Sequence, residues 1–451
     1  MKKSVSSKAA PAKKKGSGKP AAPKPAAMAD WTILIYLAGD NDLDSFGGKD
    51  LVEMKKVGSN DKINVIVQRD SADDGGARRY RVRKGTTLAE DELAQLGNTN
   101  TGDPKVLTDF LNWGLTSYPA KRTMAVLWNH GNGWDDTDIY AEAKRRGLNP
   151  VPAGEPAAGL RRGAGGLRGS LPQGFAVKRS VKKQKRRRGS FFITNPAFET
   201  KVEDGLRRAI AFDDDAQDFL DSVEMKKVFA AVSKKAKRKF DLIGMDACLM
   251  SMVETGLQVQ KSGVYFCGSQ EIEPGDGWPY DKILKQLAAK SAMDGKALAS
   301  LIVKEFVRSY AKDEPVTQSA FHLESLSAVQ KVADTLGAAL AAGLKNTQDL
   351  TLEGAISLAR KRSQKYEHPD YVDLVDFSSN IGKLWPKCAK AADAVRVAVK
   401  NCVFANEAPH ANVKRSHGLS IYLPVDAVSE LYGNLDFAKG GWAKFLAARD
   451  S

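Results

Sequence analysis

Five short apolar runs punctuate the first part of the chain: "WTILIYLAG" (31–39), "INVIVQRD" (63–70), "RTMAVLW" (122–128), "KFDLIGMDA" (239–247) and "VYFCG" (264–268). Each is continuously apolar over much of its length rather than alternating. That is the pattern of strands buried on both faces of a parallel sheet. Between them lie helical patterns. "DNDLDSFGGKDLVEMKKVG" opens on Asp-rich turn residues, read as capping the helix that follows. "TGDPKVLTDFLNWGLTSYP" opens on an Asp and a Pro, and "FLDSVEMKKVFAAVSKKA" on Asp-Ser. "RRYRVRKG" (78–85) reads as a hairpin or edge strand. Strand–helix–strand alternation at this spacing predicts an α/β sandwich around a mostly parallel sheet. After "EIEPGDGWPY" (271–280) the pattern turns mainly helical, over roughly 281–312, 325–345, 351–363 and 385–405, with a late strand at "SHGLSIYLP".

Two stretches break the pattern. Residues 1–30 are rich in Lys, Ala, Pro, Gly and Ser and predict a disordered tail. Residues 135–196 hold few apolar runs and predict a flexible insertion within a folded domain spanning 31–280, with 281–451 as a mainly helical part packed on it. These stretches also explain the charge. The whole chain carries +15, residues 1–27 contribute +8 and residues 156–190 contribute +11, so the remainder carries −4. Both basic segments lack interleaved aromatics, which argues against a structured nucleic-acid surface and leaves only phosphate binding through tail or loop. No apolar run is long enough to span a membrane. The N-terminus lacks the apolar centre of a signal peptide, so a cytoplasmic location is expected, with secretion as the alternative. The four cysteines (248, 267, 388, 402) have neither disulfide-framework nor zinc-site spacing. Of these, 267, 388 and 402 read as core.

In open parallel sheets the working residues sit just past the carboxyl ends of strands. His130 follows "MAVLWN" and Cys248 follows "DLIGMDA". A Cys and a His at neighbouring strand ends are the parts of a thiol nucleophile site. Either residue alone reads more simply as buried packing. Cys248 directly precedes "LMSMVETGLQ", read as a helix, so its amide is a candidate oxyanion donor, and the amide of Gly131 is a second.

"LWNHGNGW" followed by "DLIGMDACLMSMVE" resembles the clostripain family of cysteine peptidases, as do "WTILIYLAGDNDLD", "EIEPGDGWPY", "YVDLVDF" and "GLSIYLP". The resemblance spans roughly 31–425. It implies a caspase- and gingipain-like α/β/α sandwich. It implies Cys248 as nucleophile, His130 as the acid that protonates the leaving amine, and Asp246 facing the pocket for the residue before the cut, which would favour Arg or Lys. Asp276 in "EPGDGW" is a second candidate for that pocket. Relatives carry a self-cut loop between the His and Cys strands. Here that loop contains "VKRSVKKQKRRRGS", with Arg179, Lys185, Arg186, Arg187 and Arg188 as candidate cut positions. The expectation is an endopeptidase cutting after Arg or Lys, activated by its own cleavage. It would be a monomer that becomes two associated chains. The competing expectation is a non-enzymatic or latent protein whose basic tail and loop hold nucleic acid or an anionic partner. No metal ligand set is assigned. "DNDLD" lacks the Gly and Glu of a calcium loop, yet some relatives depend on calcium, which stays open.

Overall fold

A computed structural model describes residues 28–72, 75–134, 218–310, 314–346 and 351–449. The candidate cut positions Arg179, Lys185, Arg186, Arg187 and Arg188, the insertion 135–196 and nearly all of the tail lie outside these residues.

The core is a nine-stranded sheet in the order β10-β8-β7-β6-β5-β1-β2-β3-β4. The strands are β1 (Ala29–Gly39), β2 (Ile63–Ser71), β3 (Ala77–Arg81), β4 (Glu92–Gly97), β5 (Ala120–Trp128), β6 (Phe240–Asp246), β7 (Gly263–Gly268), β8 (Gln318–His322) and β10 (Val403–Glu407). β9 (Tyr371–Asp373) and β11 (Ser420–Tyr422) form a separate antiparallel pair. The five apolar runs become the five central parallel strands, β7-β6-β5-β1-β2. Flanking strands on both sides are antiparallel.

Period-2 geometry sends alternate residues of β1 to opposite faces. Leu34, Tyr36 and Ala38 join one apolar cluster with the helices Pro104–Ser117, Ser222–Ala236 and Leu326–Leu344. Trp31, Ile33, Ile35 and Leu37 join the other with the helices Asp44–Lys55, Tyr280–Ala289 and Gly295–Ser309. The expected three-layer sandwich is therefore built on two cores, one on each face of the sheet.

Three local expectations need correction. The part after 281 is not simply helical: β8 and β10 complete one end of the central sheet. The final long helix ends at Cys402, and the chain turns straight into β10. The helix after Cys248 begins only at Val253. Residues 249–252 instead turn and then run beside two loops, with the Ser251 amide donating to Ser269 and the Ser420 amide donating to Ser251. Finally, "DNDLD" does not cap its helix by a side chain. Leu43 holds the cap position without a side-chain bond, and Asp44 is buried in an ion pair with Arg69 at 2.7 Å.

Among the described residues no helix is long and apolar enough to cross a membrane, and no group of three or more His, Cys, Asp or Glu is placed to hold a metal ion.

Candidate active site

The β5–β6 register builds the site. Trp128 pairs with Asp246 as the last residue of each strand. His130 and Cys248 stand two residues beyond, so equal steps along parallel chains bring both to the same rim. They line one cleft, shared with Trp128, Asp246, Glu273 and Gly277. Gly131 must be glycine for the two strand ends to approach. A Cβ there would lie 2.4 Å from the Cys248 carbonyl oxygen and 3.0 Å from the Ala247 Cβ. Neither the Gly131 nor the Cys248 amide has a backbone carbonyl partner among the described residues.

Immediately after Cys248 the chain turns sharply. Leu249 takes φ +64, left-handed for a branched side chain, and its amide donates to the Glu271 carbonyl. The Cys248 sulfur receives the Glu273 amide at 3.2 Å and lies 3.8 Å from the Glu273 carbonyl. Burial pushes its pKa up to about 12, against the help of that amide and with acidic groups nearby adding to the rise. In this state Cys248 is a thiol at neutral pH.

His130 is buried, and its Nε2 lies 2.8 Å from Asp42 Oδ1. Asp42 belongs to the "DNDLD" turn past the end of β1, the strand next to β5. Sequence reasoning missed this contact. The available signal was an acid just beyond a strand end neighbouring the His strand. Asn129 ties the same corner, donating to the Ala38 carbonyl at 2.7 Å.

Asp246 closes the inner end of the cleft. It is buried, accepting the Tyr280 hydroxyl at 2.7 Å and the Trp278 amide at 3.3 Å. Burial raises its pKa to about 6 although these donors favour the charged form. Gly277, at φ +53, lets the following loop close over it, since a Cβ there would sit 3.2 Å from Asp246 Oδ1. Asp276 does not join it. Flanked by two glycines, it points outward, largely exposed, and pairs with Lys49 at 3.3 Å. The acid that the same loop turns inward is Glu273. His417, on a different part of the molecule, binds Asp373 through Nδ1 at 2.8 Å and lies outside the cleft. Cys267, Cys388 and Cys402 are buried.

The profile of the clostripain family matches residues 35–148 and 198–444, most of the chain. The chain belongs to the clostripain family. It is a cysteine peptidase. Clostripain of Hathewaya histolytica is 22% identical over 87% of this chain and 74% of its own length. Two solved structures share the fold, each at 18% identity over 92% of this chain. One is a secreted C11 cysteine protease from Bacteroides thetaiotaomicron in complex with an irreversible peptide inhibitor (TM-score 0.58, 99% of that chain). The other is an inactive zymogen C11 protease from Parabacteroides distasonis (TM-score 0.61, 98% of that chain).

Two outcomes follow for this clostripain-family site. Gly131→Ala should lower peptide hydrolysis about a hundredfold, because the clash displaces the His130 and Cys248 turns relative to each other. Its melting temperature should fall by only a few degrees; full activity would mean that this close approach does not matter. Alkylation of Cys248 by iodoacetamide in the uncut chain should be slower than that of a free thiol at neutral pH and keep rising well above the ordinary thiol range of about 8.5. A rate plateau below neutrality would instead reveal a thiolate–imidazolium pair.

Proposed function

We propose that this peptidase cuts after Arg or Lys, and that its own basic loop is its first substrate. The observation that carries the reading is the placement of Asp246, a buried carboxyl, in the same cleft as Cys248 and His130. A desolvated carboxylate rewards a guanidinium or ammonium and nothing neutral.

In this reading the Cys248 thiol passes its proton to the His130 imidazole as the sulfur attacks the scissile carbonyl carbon. The amides of Gly131 and Cys248 receive the developing oxyanion, each such donor being worth roughly 3–4 kcal/mol. His130 protonates the leaving amine as the C–N bond breaks, and water then hydrolyses the thioester to free the sulfur. Asp42 acts as a positioning residue, holding the imidazole through Nε2.

The loop between β5 and β6 connects the two halves of the site, and its basic run 178–188 offers the residues the cleft selects. A cut there would separate the chain that carries His130 from the chain that carries Cys248. The parallel ladder from Met124↔Leu242 to Trp128↔Asp246 would keep the two together.

Intact masses of wild type and Cys248→Ala, prepared side by side, test this. Wild type should fall into two associated pieces cut after an Arg or Lys within 144–190, and the variant should stay whole. Equal cutting of both would assign the cut to another protease; two whole chains would remove self-processing. Asp246→Asn should raise KM for Arg-linked fluorogenic peptides about 30-fold or more, from the roughly 2 kcal/mol or more that a buried charge pair loses with one partner. An unchanged KM would place the basic-residue pocket elsewhere.

A further inference from the structure

The loop after β7 brings more acid to the cleft than the reaction above uses. Glu271 is spent on structure, its Oε1 accepting the amides of Ile272 and Glu367. Asp276 is spent on Lys49 at the surface. Glu273 differs from both. It is only 5% exposed and lines the same cleft as Asp246. Its Oε1 accepts Gln318 Nε2 at 3.2 Å, whereas its buried Oε2 has no donor among the described residues. The Asp246 carboxyl lines the same cleft, close enough for its charge to push Glu273 up.

Adjacent carboxylates in a poorly solvated site do not both ionise. Asp246 already receives two donors, from Tyr280 and Trp278, which suits the charged form. Glu273 receives Gln318 on Oε1 alone and keeps a buried Oε2 without a donor, so the proton of the pair belongs on Glu273. Burial first, and then the charge of Asp246, pushes Glu273 well above the ordinary carboxyl range.

Among the described residues that line the cleft there is no Lys or Arg, and His130 is the one basic side chain. The helix Asp44–Lys55 contributes Asp50, buried behind Trp128 and accepting its Nε1 proton at 2.7 Å. Tyr280 and Tyr310 come from the two helices on that face, and Cys267 from β7. Cys248 completes the set. Each of these is neutral or acidic.

Resting on the Arg/Lys reading, we propose that Glu273 is a second specificity-determining residue: with Asp246 it forms a two-carboxyl floor that holds one proton while empty and releases it to solvent when a substrate cation docks. Before binding the floor is one carboxylic acid and one carboxylate. After binding, two carboxylates face one guanidinium or ammonium. The O–H bond of Glu273 breaks, the proton passes to bulk water, and no electrons change hands. The filled cleft carries the same net charge as the empty one. A neutral side chain cannot draw the proton off and gains nothing from Glu273. By linkage, a binding event that releases one proton strengthens about tenfold per pH unit until the pair is ionised in the empty cleft.

Calorimetric titration of the full-length, active protein with benzamidine, in two buffers of unlike ionisation enthalpy near neutral pH, counts the protons. The KM of an Arg-linked peptide across pH supplies the slope. The expected result is release of about one proton per benzamidine and a KM that falls about tenfold per pH unit. Both effects should vanish in Glu273→Gln while its melting temperature is retained. Benzamidine binding without proton release overturns the proposal, as does release that survives Glu273→Gln, which would assign the proton to Asp50. If that variant fails to fold, the wild-type proton count decides alone. A wild type that ignores benzamidine and leaves Arg- and Lys-linked peptides uncut sinks the Arg/Lys reading itself, an outcome distinct from binding without release.

Discussion

The pairing of Trp128 with Asp246 is the contact on which the site depends. Parallel strands advance in step, so a fixed pair at the strand ends fixes everything immediately beyond. His130 and Cys248 owe their common rim to that register, Asp246 owes its place at the inner end to being the paired residue itself, and Gly131 permits the close approach that the register demands. A one-residue slip of β6 against β5 would turn Asp246 and Cys248 away from the cleft together. The chain between the two strands can therefore be long and unlike the rest of the protein, because the register does not depend on it.

Around that frame the cleft is built to be poorly solvated. Asp50, Asp246 and Glu273 are all buried on one side of the sheet, and burial shifts all three toward the neutral form. The same desolvation that holds Cys248 as a thiol would, in the proposed reading, favour a docked cation. In the Arg/Lys reading, stabilisation and selectivity share one physical source: the acids are costly to keep charged until a positive group arrives. On the far side of the cleft wall, Gln270 donates to Asp373 at 3.1 Å and accepts the Gly418 amide at 2.8 Å, so the C-terminal segments brace the loop that carries Glu273.

The central strands were legible because burial on both faces leaves unbroken apolar runs. Of the antiparallel flanks, β3 was legible as a hairpin or edge strand, and β4, β8 and β10 were not. β4 alternates half-buried and exposed residues, and β8 ("QSAFH") and β10 ("VFANE") are short and partly polar, so neither length nor periodicity marks them. The helical look of "LMSMVETGLQ" hid a non-helical opening, because the left-handed turn at Leu249 and contacts with Ser269 and Ser420 outweigh local periodicity there. Cys248, His130 and Asp246 could be found as strand-end residues. Asp42 and Glu273 could not be separated from their acidic neighbours, since only the turn geometry decides which acid of "DNDLD" or "EIEPGDGW" points inward. Asp276 was the reasonable guess that this geometry sends to the surface.

Covalent capture tests the central claim most directly. The protein would be treated with peptide acyloxymethyl ketones ending in Arg, Lys or Leu, digested and mapped by mass spectrometry. A single adduct on Cys248, formed with the Arg and Lys probes and not with the Leu probe, is the result that register, nucleophile and acid-floored cleft together predict. An adduct on Cys267, Cys388 or Cys402, or equal labelling of Cys248 by the Leu probe, would contradict it.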